Sequence, residues 1–348
     1  MKKNYRMRKI LFILGLLLLP SGCLEYNREW DNFKRIELTI AQIYTLSHTP
    51  GFLVFSQMKL PERVNKSVKV RRIFFPNGQQ IIEAVMNNEV DIAYLGVSSP
   101  LSGWKKNPNY KIIAGTNIGG NAILASKNSG IQSISDLKGK RVGVHAFASP
   151  FDILLGAVIL PKNNLSIKDI KLRQAKAPEL GTRLKEGTLD VVYTFEPWVS
   201  RILQDNELNA TILLDYNEIW RNGSYPTSVV VARTEFIKKH PELVKEFLRA
   251  HVDAVLFANS HPEETKKIVH DEILRLSGKE LPMKVIESAF TRVKLTYDPQ
   301  VDAVMELANF THQAYPDMLP RIPTKKELFD LSLLNEVLAE KGLPPVKT

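Results

Sequence analysis

The sequence predicts an α/β protein of two lobes, each built on a mostly parallel sheet, with a helical extension at the C-terminal end. Three observations carry that expectation. Short β-rich runs alternate with segments of helical length from residue 36 to about residue 232, the pattern of strands in parallel sheets with helices packed on their faces. Two glycine- and asparagine-rich turns, at residues 117–121 and 222–226, bracket about 105 residues that carry their own strand–helix alternation, and glycine and asparagine allow the φ/ψ changes a hinge absorbs. From Thr234 onward the apolar spacing is helical alone.

The first 23 residues set the compartment. Lys2, Lys3, Arg6, Arg8 and Lys9 precede an unbroken apolar run from Ile10 to Leu19, and Pro20-Ser21-Gly22-Cys23 follows. A basic stretch, a short apolar stretch and a small-residue cleavage site in that order form an export signal. The apolar run is too short to cross a bilayer core of about 30 Å as a helix. The position of Cys23 resembles that of the lipidated cysteine of bacterial lipoproteins, so residues 1–22 are expected to be a signal peptide and Cys23 the lipidated first residue of the mature chain. Residues 23–35, polar from Leu24 to Lys34, then form a tether. Cys23 is the only cysteine, which excludes an intramolecular disulfide.

The whole chain of 348 residues carries a net charge of +10, but removal of the leader leaves 42 Lys+Arg against 37 Asp+Glu, a net charge of +5. That surplus is modest, and no cationic cluster is dense enough to point to nucleic acid. Lys69-Val70-Arg71-Arg72 alternates with apolar residues and reads as the edge of a strand. The remaining chain, about 310 residues, can bury one large core or two medium ones.

Strands are expected at Ile36–Thr45, Lys69–Phe75, Asp91–Gly96, Tyr110–Thr116, Ala122–Ser126, Arg141–Ala146, Ile170–Ala175, Asp190–Phe195, Ala210–Leu214 and Ser228–Ala232. Helices are expected between most of them, and then at Pro241–Asn259, Pro262–Leu276, Pro282–Leu295, Val301–Ala314 and Lys325–Glu340. The resulting partition is 36–118 with 224–348 as lobe 1, and 119–223 as lobe 2.

Four strand-to-helix junctions contain a proline: Ser47-His48-Thr49-Pro50, Gly96-Val97-Ser98-Ser99-Pro100, Phe147-Ala148-Ser149-Pro150 and Thr194-Phe195-Glu196-Pro197. Proline suits the first helical turn because its missing N–H lacks an intrahelical partner there anyway. Thr49, Ser99 and Ser149 are then expected N-caps, and Ser149-Pro150-Phe151-Asp152 approximates a capping box. Helix N-termini at the carboxyl ends of parallel strands aim free N–H groups and a positive dipole end at a cleft, where a polar or anionic ligand binds. The candidate contacts are Ser47, His48, Thr49, Asn77, Ser98, Ser99 and Ser149, joined by Glu196, Trp198 and Tyr225 where the second lobe should approach the return hinge. Glu196 is either a helix cap or an acceptor for an amino or ring N–H group of the ligand, and Trp198 with Tyr225 either pack the lobes or cover a ring.

Asp91-Ile92-Ala93-Tyr94-Leu95-Gly96 before a Ser/Pro helix start, the run from Ser135 to Val144 (SDLKGKRVGV), Phe195-Glu196-Pro197-Trp198, and the segments Val231 to Ile237 and Lys239 to Val244 resemble, in order and spacing, the substrate-binding proteins of nitrate/sulfonate/taurine-type ABC importers. The resemblance spans most of 36–315. It implies the type II periplasmic-binding-protein fold, two α/β lobes joined by two crossing strands and closing on one small solute, with the permease subunits of an importer as partners. Relatives that bind a thiamine pyrimidine precursor or other heterocycles keep a neutral heteroaromatic ligand open as the alternative to a sulfonate-like anion. The chain is expected to act as a monomer, anchored through Cys23 and facing the periplasm or the cell exterior.

No His-Glu-x-x-His, Gly-x-Ser-x-Gly or P-loop motif occurs, and no cofactor or metal is expected. His240, His251 and His261 read as solvated or capping residues of the C-terminal helices, whereas His48 and His145 lie beside the cleft loops and read as hydrogen-bonding groups. An exported enzyme would need an acid–base pair, and Glu196 with His48 or His145 is the one such pair that can be assembled. A sensor or adaptor that presents a surface to a membrane partner is the third class.

Overall fold

The computed structural model describes residues 36–106 and 108–347; the signal peptide, Cys23 and the tether lie outside the described residues. Eleven strands form two sheets among those residues. They are β1 (Ile36–Gln42), β2 (Val68–Phe74), β3 (Ile92–Gly96), β4 (Tyr110–Gly119), β5 (Asn121–Ser126), β6 (Arg141–Val144), β7 (Lys171–Gln174), β8 (Val191–Phe195), β9 (Ala210–Asp215), β10 (Pro226–Arg233) and β11 (Val293–Leu295). One sheet has the order β11-β4-β10-β3-β1-β2 and the other β7-β6-β8-β5-β9.

Burial explains the strand positions. From Leu38 to Gln42 every residue of β1 is buried, as a strand covered on both faces must be, and β1 pairs in parallel with β2 and β3. The basic run at Lys69–Arg72 falls in β2, at the edge of the sheet, with Lys69 and Arg71 exposed. In the other sheet β8 is buried from Val191 to Thr194 and runs parallel to β6, which runs parallel to β7.

Strand polarity then dictates where the loops meet. β10 is antiparallel to both β3 and β4, so β4 runs with β3 and its last residue, Gly119, lies at the carboxyl ends of β1 and β3. After Gly120 the chain enters β5, whose first residue, Asn121, pairs with Phe195 at the carboxyl end of β8. The carboxyl ends of both parallel sets therefore converge on Gly119-Gly120-Asn121. β9 returns through the short helix Tyr216–Ile219 and a turn at Arg221–Gly223 into β10, which begins opposite Ile118. Gly119 and Gly120 have φ of +72° and +77°.

The strand expected at Ile36–Thr45 ends at Gln42, and two C-terminal segments also differ from the sequence expectation. Pro282–Leu295 is not one helix: the helix is Met283–Phe290, and Val293–Leu295 adds β11 to the edge of β4, with Val293 and Leu295 buried and Lys294 exposed between them. Lys325–Glu340 is likewise interrupted, because Phe329 makes a parallel bridge to Ile112 between the helices Lys325–Leu328 and Ser332–Glu340. The C-terminal helices touch both sheets' elements. Met283–Phe290 packs on Trp198–Gln204, where the hydroxyls of Ser200 and Ser288 are 2.9 Å apart, and Val301–Ala314 packs on Pro150–Leu154. One continuous buried cluster accordingly includes Leu38 and Ile92 of one sheet and Val142 and Tyr193 of the other.

Candidate functional site

After β1 the chain makes a 3-10 turn at Leu46–His48 before the helix Thr49–Ser56. His48 is buried and its Nδ1 accepts the Ile43 N–H at 3.1 Å, so the ring is neutral, with burial holding its pKa down at about 3. Thr49 is the first helical residue and not an N-cap, because the turn displaces that role to His48; its hydroxyl points inward and donates to the Leu46 carbonyl at 2.7 Å. Ser47 is half-buried near Thr45, with the two hydroxyls 3.5 Å apart. Tyr44 stands 38 % exposed and stacks on Phe74 at 4.1 Å with a 6° interplanar angle.

After β3 the helix is Ser98–Ser102 with Val97 as its N-cap, so Ser99 lies inside the first turn and is not the cap the sequence suggested. Ser98 is half-buried and Ser99 buried. Ser99 packs directly on Gly78, where an added Cβ would lie 2.4 Å from the serine Oγ. Asn77 is exposed and caps the helix Gly78–Met86, its Oδ1 accepting the Gln80 N–H at 3.0 Å.

After β6, Ser149 is the N-cap of Pro150–Leu154, accepting the Asp152 N–H at 3.4 Å. The Asp152 carboxylate reaches back to the Ala148 N–H at 2.7 Å and also accepts the Tyr315 hydroxyl. Burial pushes the Asp152 pKa up, while the Tyr315 and Ala148 bonds oppose that shift. His145 sits edge-on to Phe195 at 5.1 Å and to Phe151 at 5.2 Å, and burial lowers its pKa to about 4. Phe147 is 50 % exposed.

After β8, Glu196 is only 2 % exposed. Its Oε2 accepts the Ser200 N–H at 3.0 Å and its Oε1 the Ser200 hydroxyl at 2.9 Å, and Arg292 lies 3.6 Å away. Burial pushes its pKa up to about 7, against the pull of Ser200 and Arg292. Trp198 is half-buried, with the Arg201 guanidinium 5.3 Å from its ring. Tyr225 is 2 % exposed; it packs against Trp220 at 5.4 Å and donates to Asn121 Oδ1 at 2.8 Å. Trp198 and Tyr225 therefore have separate ring partners.

All four junctions thus sit at the carboxyl ends that meet at the crossover, with polar atoms of Thr49, Ser149, Glu196 and Tyr225 bonded inward and Ser47 and Ser98 partly open. Sequence reasoning missed three aromatic residues as site candidates: Tyr44, Phe147 and the half-buried Phe195 each lie within three residues of a strand's carboxyl end. It also missed Asn121, whose buried Nδ2 has no hydrogen-bond partner among the described residues. His251 is a further correction: it is fully buried, its Nε2 2.8 Å from the Gly115 carbonyl and its Nδ1 3.0 Å from the Tyr94 hydroxyl, so it is neither solvated nor capping. His240 and His261 do occupy N-cap positions. Among the described residues no group of three or more His, Cys, Asp or Glu is placed to hold a metal, and no helix is long and apolar enough to cross a membrane. A recess of about 200 Å³ lined by Asn259, Lys266, Glu287 and Phe290 contains none of the junction residues.

Comparison with known proteins agrees with this architecture. The NMT1-like family matches residues 31–271. A putative aliphatic sulfonates-binding protein of Bacillus subtilis is 26 % identical over 342 residues, covering 96 % of this chain and 98 % of its own, and the taurine-binding periplasmic protein of Escherichia coli is 26 % identical over 247 residues, covering 70 % and 73 %. The crystal structure of the periplasmic aliphatic sulphonate binding protein SsuA from Escherichia coli superimposes with a TM-score of 0.71 at 19 % identity, over 85 % of this chain and 92 % of that one. The fold expected from the sequence is thereby met.

Proposed function

The chain belongs to the NMT1-like family, and from that premise we propose that it is an extracytoplasmic solute-binding protein that captures a small organic oxyanion, foremost a sulfonate, and delivers it to the permease of an ABC importer. The observation that carries this reading is the convergence of both sets of strand carboxyl ends on Gly119-Gly120-Asn121, which brings four helix starts around one crossover. In this reading 36–118 with 224–348 and 119–223 are the lobes, and they close on the solute as a monomer. Catalysis has no part in this reading, in which Glu196, the carboxylate that either acid–base pair would need, serves instead to hold Ser200 through both of its oxygens.

Ser47 and Ser98, with neighbouring backbone N–H groups, supply the donors. Hydrogen bonds to a charged group contribute about 1.5–3 kcal/mol each, so three or four offset desolvation of an anion and reach micromolar affinity. The sulfonates-binding and taurine-binding relatives support this ligand class. Lipidation of Cys23 places the protein on the outer side of a membrane. The exposed ring of Tyr44, stacked on Phe74, favours as second reading a neutral heteroaromatic solute such as a pyrimidine.

Titration calorimetry of the purified chain against sulfonates, phosphonates, nitrate and pyrimidines tests the proposal. Micromolar binding of a sulfonate is expected. Binding confined to uncharged heterocycles overturns the oxyanion assignment.

A further inference from the structure

The junction after β6 carries more aromatic surface than capture of a small alkyl oxyanion requires, and its backbone is pinned. Phe147 is half exposed, yet its N–H donates to Gln174 Oε1 at 3.3 Å and the next residue, Ala148, is fixed at a φ of +58° by the Asp152 carboxylate. A ring kept in water on a rigid platform is preorganised for a partner. Two residues upstream, His145 stands edge-on to Phe195 and Phe151, and the half-buried Phe195 stacks on Phe151 at 5.6 Å and 9°.

His145 supplies the polar half of the arrangement. Among the described residues its Nδ1 is sealed from solvent without a partner, while Nε2 makes no hydrogen bond and is not one of the sealed, unpartnered atoms. The neutral ring carries one proton. Placing it on Nε2 keeps the donor where an acceptor can reach it, because a buried N–H without a partner is the costlier arrangement.

Resting on the solute-binding reading above, we propose that the solute is an oxyanion on an aromatic body, an arylsulfonate in the first instance. Its ring lies against Phe147 and Phe195, and one of its oxygens accepts the Nε2–H of His145. Phe195 pairs with Asn121 at the crossover, which puts this subsite at the point where both strand sets converge. Tyr44, on the loop after β1, presents a second exposed ring from the other sheet.

Calorimetry on the full chain with benzenesulfonate and ethanesulfonate tests the assignment. Benzenesulfonate is expected to bind at least about tenfold more tightly, and Phe147→Ala to shrink that preference to within about threefold. Because Phe147 is exposed, the variant folds. His145→Gln, which keeps an N–H donor, should retain more benzenesulfonate affinity than His145→Leu at equal melting temperature. Ethanesulfonate binding as tightly as benzenesulfonate overturns the aromatic subsite and leaves the solute-binding reading standing. Binding of nitrate or a pyrimidine but no sulfonate overturns the arylsulfonate assignment. If no member of the panel binds, both readings fall.

Discussion

Glu196 and Ser200 are bonded twice. The Ser200 backbone N–H donates to Oε2 at 3.0 Å and its hydroxyl donates to Oε1 at 2.9 Å, so one carboxylate closes the first turn of the helix Trp198–Gln204, whose N-cap residue, Pro197, makes no side-chain cap. The same hydroxyl lies 2.9 Å from that of Ser288, which ties the helix to Met283–Phe290, and Arg292 stands between Glu196 at 3.6 Å and Asp215 at 3.3 Å. Glu196 thus links the end of β8 to the helix Trp198–Gln204 and to Arg292 through its side chain, and its backbone N–H donates to the Gly120 carbonyl of the crossover at 2.7 Å.

Glu196→Gln retains the shape but replaces one acceptor oxygen with an amide that cannot accept from Ser200. A loss of about 1–2 kcal/mol, read as a lowered melting temperature, is expected. Solute affinity should change by less than about threefold. A drop of about tenfold with an unchanged melting temperature would show that the carboxylate faces the solute. The pH dependence has a sign of its own: a carboxyl raised from 4.5 to about 7 stabilises fully below pH 4.5, and that contribution is lost as the pH rises through 7. The wild type should therefore lose stability from pH 5 to pH 8 relative to Glu196→Gln.

Gly119 has no room for a side chain. Its φ is +72°, and an added Cβ would fall 2.6 Å from the Arg292 carbonyl oxygen. Left-handed backbone at a residue other than glycine costs about 1–3 kcal/mol before that clash is relieved. Gly119→Ala is expected to destabilise by at least about 2 kcal/mol in urea titration and to weaken solute binding, since β4 must shift where the strand ends meet. Wild-type stability in that variant would contradict the tight crossover.

Cys23→Ala addresses the anchor. With the proposed lipid attachment removed, the protein should move from the membrane fraction to the soluble fraction while binding its solute unchanged. Retention on the membrane after that substitution would refute lipidation at Cys23.

How much of this is legible in the sequence depends on whether neighbours along the chain or across space decide the outcome. β1, β3 and β8 are legible because continuous apolar runs such as Ile92–Leu95 are bounded by polar or turn residues, and the crossover is legible because Gly119-Gly120 interrupts the pattern. β11 is not, since three residues become a strand only when β4 offers an open edge. The Ser149 cap follows from its local spacing to Asp152. Thr49 and Ser99 fail as caps because the preceding turns, Leu46–His48 and Val97, take the position. The sequence leaves Tyr225 open between packing and covering a ring, because its partners Trp220 and Asn121 are set by tertiary packing, and the same holds for the bonds of Glu196 to Ser200 and Arg292. Phe147 is the opposite case: its exposure could be foreseen only by noticing a large apolar residue in a short junction with no apolar neighbour of its size.

His251 provides the last test, through acid stability. Its Nε2–H donates to the Gly115 carbonyl at 2.8 Å and its Nδ1 accepts from the Tyr94 hydroxyl at 3.0 Å, which fixes a neutral ring in the core, with burial holding its pKa at about 4. His48, held at about 3, is neutral for the same reason. A histidine whose folded pKa is depressed contributes stability that is fully present above the unfolded value of 6.5 and is lost as the pH falls toward the folded value. Each such ring adds a slope of about 1.4 kcal/mol per pH unit below 6.5. Glu196 works in the opposite direction over part of this range, so the difference between variant and wild type is the informative quantity. His251→Gln should lower stability at pH 7.5 through lost packing, yet reduce the slope between pH 6 and pH 4.5 by about 1.4 kcal/mol per unit in urea titrations. An unchanged slope would mean that His251 takes up its proton in the folded chain, and the Tyr94–His251–Gly115 arrangement would then be wrong.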